Sequence, residues 1–105
     1  RKHDMIITGG INVYPQEIEA VLESHPAVKE AMVHAAPHPE WGQEVVAKVV
    51  REPQQPLDPE LLRNWARERL AGFKCPRRIE IVASLPRTAT GKLQRSATPL
   101  TDDDG

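Results

Sequence analysis

The chain has 105 residues and a formal charge of −1 from 14 basic and 15 acidic side chains, enough for one modest core but with no charge excess to hold a phosphate backbone. Aromatic residues make up only 4%, which removes the stacking platform of a single-strand binder, so nucleic acid is not an expected partner. No apolar run nears the roughly 20 residues that span a bilayer, and the N-terminus shows no signal-peptide core. Cys75 is the single cysteine, allowing neither an internal disulfide nor a cysteine-based zinc site, and a reducing, cytoplasmic setting is expected.

In chain order, residues 5–8 and 12–14 are β-prone runs around Gly9-Gly10, the pattern of a tight hairpin. Pro15 stands at a favoured helix start, and Ile18, Val21 and Leu22 share a face at i, i+3, i+4, while Glu17, Glu19 and Glu23 are expected mainly elsewhere. Ser24-His25-Pro26 ends that helix. A strand is predicted over 28–36, a loop over 37–42, and a second strand over 44–51, where Val45, Ala47 and Val49 alternate with Val46, Lys48 and Val50. Residues 52–59 carry three prolines and two glutamines and read as an exposed connection. Asp58 caps the next helix with Pro59 first inside it, and an apolar stripe of Leu61, Leu62, Trp65 and Leu70 predicts helix to about residue 70. A last strand is predicted over 78–82, then a loop carrying Lys92, and a disordered tail over 101–105. The fold class is therefore α+β, an N-terminal hairpin followed by α-β-β-α-β, with a mixed sheet of about three strands flanked by helices.

Two glycine-bearing segments stand out, Thr8-Gly9-Gly10-Ile11-Asn12-Val13-Tyr14-Pro15 near one end and Leu85-Pro86-Arg87-Thr88-Ala89-Thr90-Gly91-Lys92 near the other. The second presents one ammonium in a loop of small residues, where an anion can meet it. It is not a phosphate-binding P-loop, because Pro86 replaces the first glycine and Leu93 stands where Ser or Thr must hold Mg²⁺. Nor is Gly9-Gly10 a dinucleotide fingerprint, lacking both the three-glycine spacing and the βαβ context. His25, His34 and His38 fall in separate elements with no carboxylate or thiol at ligand spacing, so no metal site is expected. Cys75 lies among Lys74, Arg77 and Arg78, cations that favour a thiolate, but it has no paired base and reads as structural.

In order and separation, the two segments resemble those of the C-terminal domain of AMP-forming acyl-CoA synthetases, the adenylate-forming superfamily that includes peptide-synthetase adenylation domains and firefly luciferase. The resemblance runs from Arg1 to about Pro99. It implies that Lys92, ending the Pro-x-x-x-x-Gly-Lys segment, serves adenylation by bridging the substrate carboxylate and the α-phosphate of ATP. It implies that the Gly9-Gly10 hairpin enters the active site for thioester formation, with Gly10 leaving space for the pantetheine arm. Trp41, Phe73, Lys74 and Arg77 match positions that meet coenzyme A, although Trp41 and Phe73 are also readable as ordinary packing residues. Residues 1–4 resemble the interdomain hinge, with His3 where Asp or Lys is usual and Asp4 beside it. Implied partners are a larger N-terminal domain, a fatty or aryl carboxylic acid, ATP with Mg²⁺, and CoA or a carrier-protein phosphopantetheine. The start at Arg1, without methionine, reads as that of a fragment that is inactive alone; the alternative is a free-standing domain that binds a protein or nucleotide without catalysis.

Overall fold

The computed structural model describes residues 5–87, 89 and 91; His3, Asp4, Lys92 and the 101–105 tail lie outside them. The valine-rich, alternating runs in mid-chain form a long antiparallel pair, β3 (Val28–His38) and β4 (Gly42–Arg51), with Val33 opposite Ala47 and His34 opposite Val46. Strand β5 (Arg78–Ile81) joins β4 in parallel, placing Ile79 opposite Ala47, so the three-stranded sheet is mixed with order β3-β4-β5. The strands β1 (Ile6–Thr8) and β2 (Ile11–Val13) form a separate two-stranded sheet. Gly9 and Gly10 connect them at φ +57° and +84°, the left-handed backbone that a two-residue hairpin turn requires. The predicted α+β order is therefore the observed one.

Helix α1 (Pro15–Glu23) starts at proline and buries Ile18 and Leu22, one turn apart. Glu17 and Glu23 are exposed as expected, and Glu19 alone of its three glutamates departs from the outward placement. Glu19 is buried, and its Oε2 accepts from the Val33 amide at 2.8 Å, while Glu23 Oε2 accepts from the Ala31 amide at 3.0 Å. Strand β3 is an edge strand, and the two carboxylates occupy amides that would otherwise be free to pair with another chain.

Helix α2 (Pro59–Arg67) is capped as expected, Asp58 Oδ1 accepting from the Glu60 amide at 2.9 Å. It is shorter than predicted, ending at Arg67, and Leu61 is 66% exposed rather than part of the stripe. The buried line is Leu62 and Ala66, and Leu61 lies about 100° from Leu62 around the axis. Trp65 and Leu70 pack partly against the core, Trp65 lying between the His25 ring edge and the Arg69 guanidinium. A single 3₁₀ turn (Gly72–Lys74) then leads into β5. Strand β3 also runs through Pro37 and His38, which the sequence placed in a loop, so the connection to β4 is only three residues. No helix among the described residues is long and apolar enough to cross a membrane.

Val33, Val45, Ala47, Val49 and Ile79 face α1 and α2 in one core with Ile6, Val13, Leu22 and Leu62. Met32, His34 and Val46 occupy the alternate positions and are buried too. On that face Lys48 pairs with Glu80 at 2.6 Å, and Arg78 with Glu44 at 2.5 Å. His34 Nδ1 lies 3.1 Å from the Ala35 carbonyl, and its buried Nε2 has no hydrogen-bond partner among the described residues.

Two stability predictions follow from this packing. Leu22→Ala should cost about 2–5 kcal/mol by transfer and cavity terms, measured by urea unfolding. Burial, with Lys48 adding repulsion, holds the His34 imidazole below its usual 6.5 despite the Ala35 carbonyl. The unfolded chain then binds the proton more readily, so the stability from neutral His34 is full above pH 6.5 and is lost as pH falls through the folded value. His34→Phe should flatten the decline in unfolding midpoint between pH 7 and pH 5; an unchanged slope would assign that decline to other groups.

Candidate functional site

The site begins at the short β3–β4 connection. His38 Nδ1 accepts from the amides of Glu40 and Trp41 at 3.1 and 3.0 Å, closing the turn as a side-chain cap. The same imidazole stacks on the Trp41 indole, centroids 4.0 Å apart and planes 8° from parallel. Gly42, at φ +81°, turns the chain back into β4. The Arg77 guanidinium lies 4.7 Å from the Trp41 ring centroid, and the Arg77 amide donates to the Val45 carbonyl at 2.8 Å.

The glycine hairpin docks on this turn. The Gly9 amide donates to the Trp41 carbonyl at 3.0 Å, and the Ile7 amide to Gln43 Oε1 at 2.8 Å. A Cβ on Gly9 would make ordinary contact with Trp41 Cδ1 at 3.8 Å, whereas one on Gly10 would meet nothing within 4 Å. Between hairpin, turn and 3₁₀ segment lies a cleft of about 360 Å³, walled by Thr8, Gly9, Ile11, Trp41, Phe73 and Arg77, with Val45 and Gly72 completing it. Phe73 is 49% exposed and Ile11 40% exposed, so apolar surface faces the opening.

Of the residues singled out from sequence, Gly9, Trp41, Phe73 and Arg77 thus converge on one cleft. The exposure of Phe73 removes its reading as a core residue. Gly10 sits at the hairpin tip beside the cleft rather than in its lining. Lys74 is turned away, its Nζ bonded to both carboxylate oxygens of Glu17 at 3.1 and 3.2 Å. Thr8, Ile11 and His38 belong to the site and were not read as such, although alternation back from Val13 placed Ile11 on the inward hairpin face. Cys75 is buried, and burial pushes its thiol up, outweighing Arg63, Arg67 and Arg77, which act in the opposite direction, as suits the structural role read from the sequence.

Near the C-terminal motif, the Arg87 guanidinium forms an ion pair with Glu30 on β3 and donates to the Gly91 carbonyl at 2.9 Å. Gly91 adopts φ +90°. Its carbonyl belongs to the peptide unit that continues into Lys92.

The family model of the AMP-binding enzyme C-terminal domain matches residues 17–92, and the chain belongs to that family. It is 47% identical over 95 residues to a fatty acid–[acyl-carrier-protein] ligase, ScoC, of Streptomyces coeruleorubidus, covering 90% of this chain and 18% of that protein. It is 50% identical over 95 residues to a 2-succinylbenzoate–CoA ligase of Geobacillus kaustophilus, covering 90% and 19%. The fold superposes on ATP-bound MatB of Rhodopseudomonas palustris with a TM-score of 0.91 and 38% identity, over 99% of this chain and 21% of that one. The chain thus spans about a fifth of the length of the proteins it matches.

Gly9→Ala tests how far the docked hairpin depends on left-handed backbone. At φ +57° the added Cβ should cost about 1–2 kcal/mol through backbone strain rather than contact, read as a lower urea midpoint.

Proposed function

We propose that this chain is the mobile C-terminal domain of a cytoplasmic, ATP-dependent, AMP-forming ligase that joins a fatty or aryl carboxylic acid to coenzyme A. The observation that carries the reading is the convergence of the glycine hairpin, Trp41, Phe73 and Arg77 on one cleft in a domain of this family. In the first half-reaction a carboxylate oxygen of the acid attacks the α-phosphorus of ATP, and the bond to pyrophosphate breaks. Lys92 stabilises the negative charge gathering there, and Mg²⁺ enters with ATP as its charge neutraliser. Arg87 is the positioning residue, holding the peptide unit before Lys92 against Glu30.

In the second half-reaction the CoA sulfur attacks the acyl carbonyl carbon, AMP leaves with the bonding electrons, and the thiol proton passes to solvent. The open space at Gly10 suits a narrow pantetheine arm, and the aromatic and arginine walls of the cleft suit a nucleotide. The N-terminal domain supplies the acyl pocket and most ATP contacts. Rotation about the segment holding His3 and Asp4 exchanges the two faces of this domain.

Lys92→Ala in the full-length enzyme should slow adenylation by roughly 10²–10³ while largely sparing thioester formation from supplied acyl-adenylate. Arg87→Ala should lower the adenylation kcat by up to about 10²-fold with little change in the KM for ATP. Pyrophosphate release with an acid panel, timed separately from thioester formation, reads both variants, and equal loss in the two half-reactions would refute the division of labour. His3→Pro should show the reverse split, since a φ fixed near −65° blocks one orientation.

A further inference from the structure

The His38 ring is held in one protonation state by its two backbone partners. The amides of Glu40 and Trp41 lie 3.1 and 3.0 Å from its Nδ1, and a backbone N–H can only donate. Nδ1 must therefore offer a lone pair, which places the single ring proton on Nε2. The cap exists only for the neutral imidazole in this tautomer. A second proton would sit on Nδ1 and set three N–H groups against one another, and both bonds would be lost.

What the cap holds is Trp41. Both backbone polar groups of that residue are committed, its amide to His38 and its carbonyl to the Gly9 amide at 3.0 Å. Its indole is covered by the His38 ring and lies against the hairpin, with Cδ1 3.8 Å from where a Cβ on Gly9 would stand. Opening the turn thus shifts a wall of the cleft and the anchor of the hairpin together. Stacking does not keep the turn closed, since an imidazolium remains attracted to an indole face after turning its Nδ1 away from the amides.

The charged groups around His38 do not offset an added proton. Residues 6–13 of the hairpin carry no titratable side chain. Arg77, 4.7 Å from the indole centroid, is itself a cation. On β4, Glu44 is bonded to Arg78 at 2.5 Å, and Glu40 in the turn is exposed to solvent. Along β3 the nearest titratable side chain is His34, four residues back. The segment leading to Lys92 is fixed elsewhere, through Arg87 to Glu30 near the start of β3. Loss of the His38 cap therefore reaches one face of the domain and not the other.

We propose that His38 is a positioning residue for thioester formation, holding the Trp41 wall and the glycine hairpin only while its imidazole is neutral, so that mild acid disables this face of the domain and spares adenylation. The inference rests on the ligase reading above and adds to it a proton-controlled step. Histidine is the side chain suited to such control, because its charge changes between about pH 5 and pH 8.

The test times the two half-reactions of the full-length enzyme separately between about pH 8 and pH 5.5, with His38→Asn and His38→Phe beside the native protein. Asn presents Oδ1 from the carbon that carries Nδ1 in histidine and does not titrate, so it keeps the cap; Phe keeps the stack and has no acceptor. At the alkaline end His38→Asn should match the native KM for CoA within about twofold, whereas His38→Phe should raise it about tenfold, the scale of one or two lost hydrogen bonds. On acidification the native KM should climb toward that of His38→Phe, by about fivefold more than it climbs in His38→Asn. That comparison cancels the titration of CoA itself, which all three proteins share. The adenylation kcat should differ by less than about twofold among them at each pH. Parallel native and His38→Asn profiles would overturn the proposal, as would equal losses of adenylation and thioester formation in His38→Phe. Should His38→Phe fail to fold, the native and His38→Asn profiles still decide. Each of these failures leaves the CoA ligase reading standing, and that reading falls if the native enzyme forms no CoA thioester at the alkaline end.

Discussion

The hydrogen bond from the Gly9 amide to the Trp41 carbonyl is the tie on which the candidate site depends. A two-stranded sheet of three-residue strands is not stable alone. Here β1 and β2 contribute Ile6 and Val13 to the main core, and the hairpin tip is set by this bond and by the contact from Ile7 to Gln43. Trp41 is fixed in turn by His38, which caps its turn through one ring nitrogen and covers the indole with the ring face. Hairpin, turn and 3₁₀ segment therefore meet as a rigid wall, and the exposed Ile11 and Phe73 project from it without weakening the core.

The acidic residues of α1 show how a surface-like pattern can hide a structural role. Glu19 and Glu23 are one helical turn apart, matching the spacing of alternate outward amides along β3, so two carboxylates meet Val33 and Ala31 together. These contacts orient α1 across the sheet and block the edge of β3. They also fix the helix that carries Glu17, and Glu17 in turn holds Lys74 away from the cleft.

Local signals explain most of what was legible in the sequence. Gly9-Gly10 needs positive φ, Asp58-Pro59 is a self-contained helix start, and alternation in residues 44–51 assigns each valine to a face. Other side chains take their setting from partners distant in the chain. Lys74 lies 57 positions from Glu17 and Arg78 lies 34 from Glu44, so sequence adjacency in the 73–78 stretch could not tell these paired cations from Arg77, which forms no ion pair among the described residues. Leu61 failed for a nearer reason, since adjacent leucines in a short helix cannot both face one sheet and the small Ala66 decided for Leu62. Cys75 was placed correctly among cations, but its depth was invisible and burial outweighed them.

The length of β3 bears on why one small domain would have to move. Glu30, near its start, holds Arg87 and through it the carbonyl preceding Lys92, while His38 at its end organises Trp41 and the cleft. Eight residues of extended chain separate these anchors, roughly 26 Å at strand rise, in a domain whose dimensions are 36 × 34 × 24 Å. A lysine side chain spans only a fraction of that distance. On the proposed reading, a single acyl centre in the partner domain cannot meet the Lys92 loop and the pantetheine cleft in one arrangement. The rigid sheet that keeps each end well formed also keeps them apart, so rotation of the whole domain, rather than rearrangement within it, is the economical way to present both.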